Sequence, residues 1–274
     1  MGKGGSGRVY RVQGPNGKLY ALKKVSFKGQ SPEAIEAFKG EVRLLRELRT
    51  VSRVVKLVDF EISRSAINVV MECGDTDMNT LLASRLDKPL NVNFVRYYAH
   101  EMLECVSAIH EAGIVHSDLK PANFVLVKGV LKLIDFGIAD IVPDDTVNLS
   151  RDSRLGTPNY MAPEMLSAAT PIDGSAARFK HGRPADVWSC GCIIYQMIYG
   201  QPPYGGYHRD QRMNAILNPD IKVVYDARTR TNSAVPIDAI NVVRACLCRD
   251  PKERATADQL LTFNCTDSRT VTEY

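Results

Sequence analysis

The sequence contains no long hydrophobic run. Its longest apolar stretch, "CGCIIYQMIYG" at residues 190–200, is too short and too interrupted for a membrane-spanning helix, which needs about 20 apolar residues. The opening "MGKGGSG" lacks the apolar core of a secretory leader, and Ser6 makes it only a weak match to a myristoylation signal. We therefore expect a soluble chain with no leader and no membrane partner.

Basic runs and zinc-spaced cysteines are also missing. The 35 Lys and Arg residues against 31 Asp and Glu give a net charge of +4, and without a basic cluster this balance does not indicate a nucleic-acid partner. The seven cysteines include two C-x-C pairs, Cys190/Cys192 and Cys246/Cys248, but no C-x-x-C and no histidine at zinc spacing near either pair. We expect buried, reduced thiols in a cytoplasmic or nuclear protein.

No internal repeat is present, but the chain changes character near Gly74. Residues 1–74 contain mainly alternating apolar and polar residues, whereas long patterns of helical period dominate residues 75–274. This layout predicts an α+β protein with two lobes, a small antiparallel sheet with one helix followed by a larger helical lobe. Within the second lobe, the small and polar residues 167–184 predict an exposed insertion.

Local signals mark the individual elements. The turn residues 14–17 predict a hairpin whose strands end near Val12 and begin near Lys18. Ser31 as N-cap and Pro32 in the first turn predict a helix that extends to Leu48. Two more strands follow in "VVKLVDFEIS" and "AINVVMEC", and helices are predicted in "FVRYYAHEMLECVSAIHEAG", "PADVWSCGCIIYQMIYG" and "PIDAINVVRACLCRDP".

The glycines at positions 2, 4 and 7 form the pattern G-x-G-x-x-G. A dinucleotide-binding fingerprint would need a strand before this pattern and a helix after it, whereas here the strand-like "RVYRV" follows. Glycines next to strands instead indicate a hairpin flap whose backbone can lie close over phosphates. A plain glycine-rich turn explains the same residues equally well.

A buried charge is predicted in the helix after Pro32. Glu41 falls on the apolar stripe formed by Phe38, Leu45 and Leu48. An unpaired buried carboxylate costs several kcal/mol, so we expect a basic partner from "YALKKV", either Lys23 or Lys24. Strand alternation puts Lys23 on the inward face with Leu19, Ala21 and Val25, which favours Lys23. A purely structural ion pair is the alternative.

A polar cluster in "IVHSDLKPANF" lies between two apolar runs. Asp118, Lys120 and Asn123 are followed, after "FVLVKGVLKLI", by Asp135. We expect the second apolar run to form a hairpin that returns Asp135 to the same edge. Asp135 and Asn123 carry the oxygen ligands that Mg²⁺ prefers together with substrate phosphates. Asp118 could then accept a hydroxyl proton, and Lys120 could neutralise charge on a transferred phosphoryl group.

In this order, these motifs resemble the eukaryotic protein kinases, from Gly2 to about Leu261. Gly2, Gly4, Gly7 and Val9 resemble the loop that covers ATP phosphates, and Lys23 with Glu41 resembles the family's ion pair. "HSDLKPAN" resembles the catalytic loop, and "DFG" and "GTPNYMAPE" resemble the two ends of an activation segment over residues 135–164. Asp186 and an Arg254–Glu164 pair match the family's anchors in the helical lobe.

The kinase resemblance also implies the rest of the ATP site. Ala21 and the gatekeeper Met71 would line the adenine pocket, with Val125 and Ile134 as its apolar floor. Glu72 and Cys73 would offer backbone groups to the purine edge. Thr157 would lie against Asp118 and Lys120 and help to align them. ATP and Mg²⁺ are the implied substrate and cofactor.

A narrower resemblance is to the monopolar spindle kinases of the spindle assembly checkpoint. It depends on "VVMECGDTDMNTLL", "IVHSDLKPANF" and "LKLIDFGIAD", with His-Ser-Asp in place of the common His-Arg-Asp. Pro158, Ala162 and the terminal "TFNCTDSRTVTEY" depart from that family's pattern, and the first strand of the small lobe is truncated relative to it. The resemblance implies Ser/Thr transfer with dual specificity, and a location at kinetochore or spindle through regions outside this chain.

Regulation by autophosphorylation follows as an expectation. Ser117 stands where many kinases have the arginine that binds a phosphorylated activation loop, so it cannot bind a phosphate in that way. Thr146, Ser150 and Ser153 are candidate acceptors, and their phosphates would be neutralised by Arg151 and Arg154 or by other basic residues outside the catalytic loop. Protein substrates and a transient self-association for autophosphorylation are the partners expected.

Two alternatives come from other classes of protein. A pseudokinase scaffold would be expected to have lost Lys23, Asp118, Asn123 or Asp135, and all four are present. A nucleotide-binding oxidoreductase would need a strand before Gly2 and an acidic ribose ligand in a βαβ unit. An active kinase remains the preferred hypothesis.

Overall fold

The computed structural model describes residues 2–4, 7–136, 140–141, 158–168 and 182–262. The chain divides into two compact units: Met1–Thr80 with Ala122–Ala139, and Leu81–Pro121 with Asp140–Tyr274. A lobe boundary at residue 74 stays a prediction. The first unit includes residues 75–80 and 122–139, and strands from these two segments pair with one another.

The first unit is built on a five-stranded antiparallel sheet. Its strands are β1 (Gly2–Gly4), β2 (Gly7–Gln13), β3 (Leu19–Ser26), β4 (Leu57–Ile62) and β5 (Ala66–Glu72), in the order β1-β2-β3-β5-β4. A smaller sheet contains β6 (Thr76–Asp77), β8 (Phe124–Val127) and β9 (Val130–Leu133), with β8 in the middle. Both sheets are antiparallel, as the sequence predicts for the small lobe.

The predicted hairpin forms between β2 and β3. The Gly14 amide donates to the Lys18 carbonyl at 2.9 Å, and Gly17 adopts a left-handed φ of 74° that favours glycine. Along β3, Ala21, Lys23 and Val25 are buried, as the alternation predicts. Leu19 is 53% exposed, although it was predicted on the same inward face. That prediction was wrong for Leu19 because it begins the strand, where the alternation continues but the core does not.

Helix α1 (Pro32–Glu47) begins as predicted. The Ser31 hydroxyl accepts a hydrogen bond from the Ala34 amide, and Pro32 occupies the first turn. Glu41, Leu45 and Leu48 are buried, and Phe38 is half-buried. The helix ends one residue before the predicted limit and continues as a 3₁₀ turn over Leu48–Thr50.

The second unit is mainly helical. Helix α3 (Val92–Glu111) packs against α5 (Arg183–Tyr199), which also packs against α7 (Ile237–Cys246). The shorter elements are α2 (Met78–Ala83, which begins in the first unit), α4 (Pro163–Ala168), α6 (Arg209–Leu217) and α8 (Ala257–Thr262), with β7 (Ile114–Val115) paired to β10 (Asp140–Ile141). None of the helices in the described part of the chain is long and apolar enough to cross a bilayer.

Buried side chains around α5 and a hydrogen bond between two helices stabilise the core of this unit. Trp188 and the thiols of Cys190, Cys192 and Cys246 are almost fully buried around α5. Burial raises the pKa of the Cys246 thiol to about 12, with the nearby Arg254 opposing the rise. A hydrogen bond from the Ser107 hydroxyl to Asp258 links α3 to α8. Cys105, Cys190, Cys192 and Cys246 are therefore buried, as expected, whereas Cys73 and Cys248 are only half-buried.

Candidate active site

A cavity of about 390 Å³ lies within the first unit. It is lined by residues from the β2–β3 hairpin, from the end of β5 and from the β8–β9 hairpin. Most of the predicted nucleotide-binding residues of the first unit are among them: Gly7, Val9, Ala21, Lys23, Glu41, Met71, Glu72, Val125, Ile134 and Asp135. The cavity is also lined by residues that were not predicted: Val55, Gly74, Asp75, Thr76, Asp77 and Thr80.

A cation shared by two carboxylates forms one wall of this cavity. Lys23 Nζ lies 2.7 and 3.0 Å from the two carboxylate oxygens of Glu41, and 3.1 Å from Asp135 Oδ1. Lys23 and Glu41 are buried, whereas the Asp135 side chain is 40% exposed. The inward lysine is thus Lys23, and Lys24 is exposed. The sequence had not indicated that Asp135 would share this cation.

Burial and charge act in opposite directions on these groups. Burial lowers the pKa of the Lys23 ammonium, but Glu41 and Asp135 outweigh it, and the net shift is upward. For Glu41, burial raises the pKa of the carboxyl group, Lys23 opposes the rise and Asp135 adds to it. Lys23 therefore stays charged between the two carboxylates.

The glycine-rich segment forms a hairpin. Gly2 pairs with Val9 and Gly4 pairs with Gly7 across β1 and β2. A Cβ on Gly7 would stand only 2.5 Å from the Lys24 carbonyl oxygen. Gly7 is therefore required by the close approach of β3, whatever lies over the hairpin. The predicted flap is present as backbone geometry.

The last residue of β5 and the three residues after it, residues 72–75, form what is called the connector segment below. Met71 is buried and lines the cavity. Glu72 and Gly74 line it on either side of Cys73, which is half-buried. A Cβ on Gly74 would stand 3.2 Å from Val125 Cβ, so the connector segment lies directly against β8. The backbone roles of Glu72 and Cys73 toward a purine stay a prediction.

Asn123 and Asp135 are brought together by the β8–β9 hairpin. The Ile134 amide donates to the Asn123 carbonyl at 2.9 Å, and Asn123 Nδ2 donates to the Ile134 carbonyl at 3.4 Å. Asp135 follows directly, with a left-handed φ of 65°. The buried Asn123 amide and the half-exposed Asp135 carboxylate, which lines the cavity, carry oxygen atoms of the kind that suits Mg²⁺.

The predicted catalytic loop lies in the second unit. Lys120 Nζ lies 2.6 Å from Asp118 Oδ2, and the Asp118 amide donates to His116 Nδ1 at 3.3 Å. Ser117 is buried with a left-handed φ of 66°, and its hydroxyl has no partner among the residues described. Asp118 and Lys120 are thus in contact, as the charge pattern suggests.

A buried carboxylate holds this loop in place. Asp186 is fully buried and accepts hydrogen bonds from the backbone amides of His116 and Ser117, each at 2.9 Å. His110 Nε2 also lies 2.9 Å from Asp186 Oδ2. His110 was missed by the sequence analysis, since a histidine near the end of an apolar helix gives no sign of its partner. Asp186 therefore has a positioning role for the loop.

The other predicted anchor is also present in the second unit. Arg254 binds both carboxylate oxygens of Glu164, at 2.6 and 3.1 Å. Its guanidinium lies 5.0 Å from the centre of the Trp188 ring. This bidentate pair ties α4 to the segment before α8.

Several predicted features fall outside the described residues. These are Thr157, the acceptors Thr146, Ser150 and Ser153 with Arg151 and Arg154, and most of the insertion at 167–184. The end of the activation segment is described from Pro158, which is buried at the start of a 3₁₀ turn. The predictions for the remaining residues stay predictions.

Comparison with known proteins agrees with the motifs. Residues 1–264 match the model of the protein kinase domain. The chain is 51% identical over 266 residues to serine/threonine-protein kinase MPS1 of Saccharomyces cerevisiae, a match that covers 95% of this chain and 35% of that protein. It is 44% identical over 277 residues to serine/threonine-protein kinase mph1 of Schizosaccharomyces pombe, covering 95% and 41% of the two proteins.

A vertebrate relative extends the similarity. The chain is 39% identical over 265 residues to dual specificity protein kinase TTK of Mus musculus, covering 96% of this chain and 30% of that protein. The chain thus spans between 30% and 41% of the length of these three relatives. The predicted resemblance and α+β kinase fold are confirmed, and the chain belongs to the protein kinase domain family.

Proposed function

We propose that this chain is the catalytic domain of an ATP-dependent protein kinase. The observation that carries the proposal is the group Lys23, Glu41 and Asp135 at the wall of the first unit's cavity. A cation held by one buried carboxylate and directed at a second, half-exposed one is suited to binding phosphate and metal together. A structural ion pair alone would not require the second carboxylate or the cavity.

ATP is the nucleotide that this cavity would bind. Val9, Ala21, Val125 and Ile134 supply apolar surface for the adenine, and Met71 limits its depth. Backbone groups of Glu72 and Cys73 would bind the purine edge, and the glycine hairpin (Gly2, Gly4, Gly7) would cover the phosphates. Lys23, held by Glu41, would bind the phosphate oxygens.

Mg²⁺ would be held by Asp135 and Asn123 together with the phosphates. When bound, it would neutralise charge on the phosphate oxygens. Asp135 would also orient Lys23, because their side chains already share a contact. The chain's own contribution here is to hold a carboxylate and an amide at fixed positions on one hairpin.

The transfer step would use the loop of the second unit. Asp118 would accept the proton of the acceptor hydroxyl while the hydroxyl oxygen attacks the γ-phosphorus and the bond to ADP breaks. Lys120 would neutralise charge on the phosphoryl group, and Thr157 would align Asp118 and Lys120. The buried Asp186 would hold the loop's backbone without touching the reacting atoms.

The protein substrates would be Ser/Thr acceptors, with Tyr accepted as well. The relatives' names, serine/threonine-protein kinase and dual specificity protein kinase, support this class. We also assign the whole protein to spindle checkpoint signalling in nucleus or cytoplasm, with kinetochore or spindle binding through regions outside this chain. Transient self-association for autophosphorylation completes the proposal, with no nucleic-acid or membrane partner.

The direct test is transfer of radiolabelled γ-phosphate to the chain itself and to a generic protein substrate, with and without Mg²⁺. Phosphoamino-acid analysis would distinguish Ser, Thr and Tyr products. Lys23→Met should abolish transfer, whereas the matched variant of its exposed neighbour, Lys24→Met, should retain it. Nucleotide binding without transfer in the wild type would instead support the pseudokinase scaffold and refute the proposal.

A further inference from the structure

The connector segment is attached to the β8–β9 hairpin by contacts that the proposed reaction does not use. The Asp75 amide donates to the Leu126 carbonyl at 2.7 Å, and the Lys128 amide donates to the Asp75 carboxylate at 3.0 Å. Gly74 lies directly against Val125. All of these residues belong to the first unit.

An ion pair between the buried Lys132 and the half-buried Glu72 adds to these contacts. Lys132 Nζ lies 2.5 Å from Glu72 Oε1, and the lysine is only 9% exposed. The same carboxylate oxygen accepts a hydrogen bond from the Lys56 amide at 2.8 Å, and the Glu72 amide donates to the Lys56 carbonyl at 3.0 Å. Glu72 is therefore fixed from both its backbone and its side chain.

Lys132 also lies at a point that connects to the cavity floor. It is the cross-strand partner of Val125 in the β8–β9 pair, and it precedes Ile134 by two residues. Val125, Ile134 and Glu72 all line the cavity, whereas Lys132 is not among its lining residues. One ion pair thus joins the end of β5 to the β8–β9 hairpin, and both of these elements line the cavity.

We propose that Lys132 is a positioning residue for the nucleotide. Through Glu72 it holds the connector segment against the β8–β9 hairpin, and so fixes the position of the connector backbone relative to the floor residues Val125 and Ile134 at the adenine end of the cavity. Lys132 itself contacts no nucleotide. This inference rests on the proposed function, because that function puts a purine against both of these surfaces.

The test separates nucleotide affinity from turnover and from stability. Lys132→Met keeps the unbranched chain but removes the ammonium, and it should raise KM for ATP and Kd for a fluorescent ADP on the order of tenfold with kcat nearly unchanged. Lys132→Arg should restore both constants to near the wild-type values. Lys39→Met removes the cation of an exposed ion pair with Glu36 and should leave both constants unchanged.

A double variant distinguishes positioning from simple stabilisation. Lys132→Met leaves the Glu72 carboxylate with one partner lost, which should lower the unfolding temperature. Adding Glu72→Gln removes the unpaired charge of Glu72, so the unfolding temperature should recover while KM for ATP stays raised. If KM and Kd recover together with stability, or never change in Lys132→Met, Lys132 has no positioning role.

Two further outcomes keep the inference falsifiable. If Lys132→Met fails to fold, the single variant Glu72→Gln tests the inference. It keeps an oxygen acceptor for the Lys56 amide but weakens the ion pair with Lys132. An unchanged KM for ATP in this variant would refute the inference. A wild-type chain that neither binds nucleotide nor transfers phosphate would refute the proposed function. An active wild type with unchanged affinity in the variants would refute only the role of Lys132.

Discussion

Each compact unit contains a buried group of charges, and the two groups are built in opposite ways. In the first unit one cation, Lys23, faces two carboxylates, and one of them belongs to the half-exposed Asp135. In the second unit Asp186 is fully buried and has its acceptors filled by two backbone amides, with His110 alongside. The first group is partly open to solvent at Asp135, whereas the second is closed.

This difference separates charge used for chemistry from charge used for structure. A group of charges that must bind substrate has to keep part of its surface accessible to that substrate. A group that holds a loop in place must be satisfied, because an unpaired buried charge would destabilise the fold. Variants of the first group should therefore affect transfer more than stability, and variants of the second should do the reverse.

The largest expected effect is the loss of phosphate transfer when Asp135, the half-exposed carboxylate of the first group, is replaced. Asp135→Asn removes the charge that would hold Mg²⁺, and phosphate transfer should fall by about 10³-fold or more. The unfolding free energy should change little, because the Asp135 side chain is half-exposed. Radiolabel transfer and denaturant unfolding of the same sample would check both parts. Measurable Mg²⁺-dependent transfer at the wild-type rate would contradict the assignment.

The next effect concerns the proposed base. Asp118→Asn should lower turnover on the order of 10²-fold or more, because the amide cannot accept the hydroxyl proton in the same way. Nucleotide binding should remain close to that of the wild type, measured by titration with a fluorescent ADP. Wild-type turnover by this variant would remove Asp118 from the mechanism.

In the closed group the expected effect is on stability. Asp186→Asn replaces a buried carboxylate that accepts several hydrogen bonds, and should lower the unfolding free energy on the order of 3 kcal/mol. Transfer per folded molecule should fall less than in Asp135→Asn. Guanidinium unfolding with matched activity assays would measure both. Unchanged stability would mean that Asp186 is not the structural anchor.

The pH dependence of stability gives a smaller effect. Because the pKa of Lys23 is raised in the folded state, its pairing contributes fully below the ordinary value of 10.5 and is lost as the pH rises through the raised value. The difference in unfolding free energy between wild type and Lys23→Met should therefore be as large at pH 9 as at pH 8, and should shrink above about pH 10.5. A difference that already shrinks between pH 8 and 9 would contradict the raised pKa.

The smallest effect is on nucleotide selectivity. Met71→Gly should enlarge the cavity beside the adenine, so that an ATP analogue with a bulky N6 substituent gains on the order of tenfold over ATP in kcat/KM. Competition between the analogue and ATP would measure this ratio. If the analogue gains nothing, Met71 does not border the adenine.

The open group was largely predictable from sequence. Strand alternation indicated Lys23 rather than Lys24, and the helical spacing of Glu41 on an apolar stripe indicated a buried acid that needed a cation. These signals are local, and both come from regular elements whose inward face is known. The contact of Lys23 with Asp135 was not predicted, since it joins residues far apart in the chain.

The connector segment shows where such reasoning ends. Lys132 lies in the strand-like "VLKLI", where alternation alone does not show that its ammonium is buried against Glu72. Asp75 and Thr80 line the cavity, but their order in the chain carries no signal of it. His110 likewise needed the packing of α3 on α5 to reveal its contact with Asp186. Tertiary contacts decide these roles, and local patterns do not encode them.

The most direct test is to measure phosphate transfer per folded molecule for Asp135→Asn and Asp186→Asn side by side, with the folded fraction of each sample determined by unfolding. We expect Asp135→Asn to have the same folded fraction as the wild type and almost no transfer. We expect Asp186→Asn to be less stable but to retain much more transfer per folded molecule. Loss of transfer in both variants in proportion to their folded fractions would contradict these expectations.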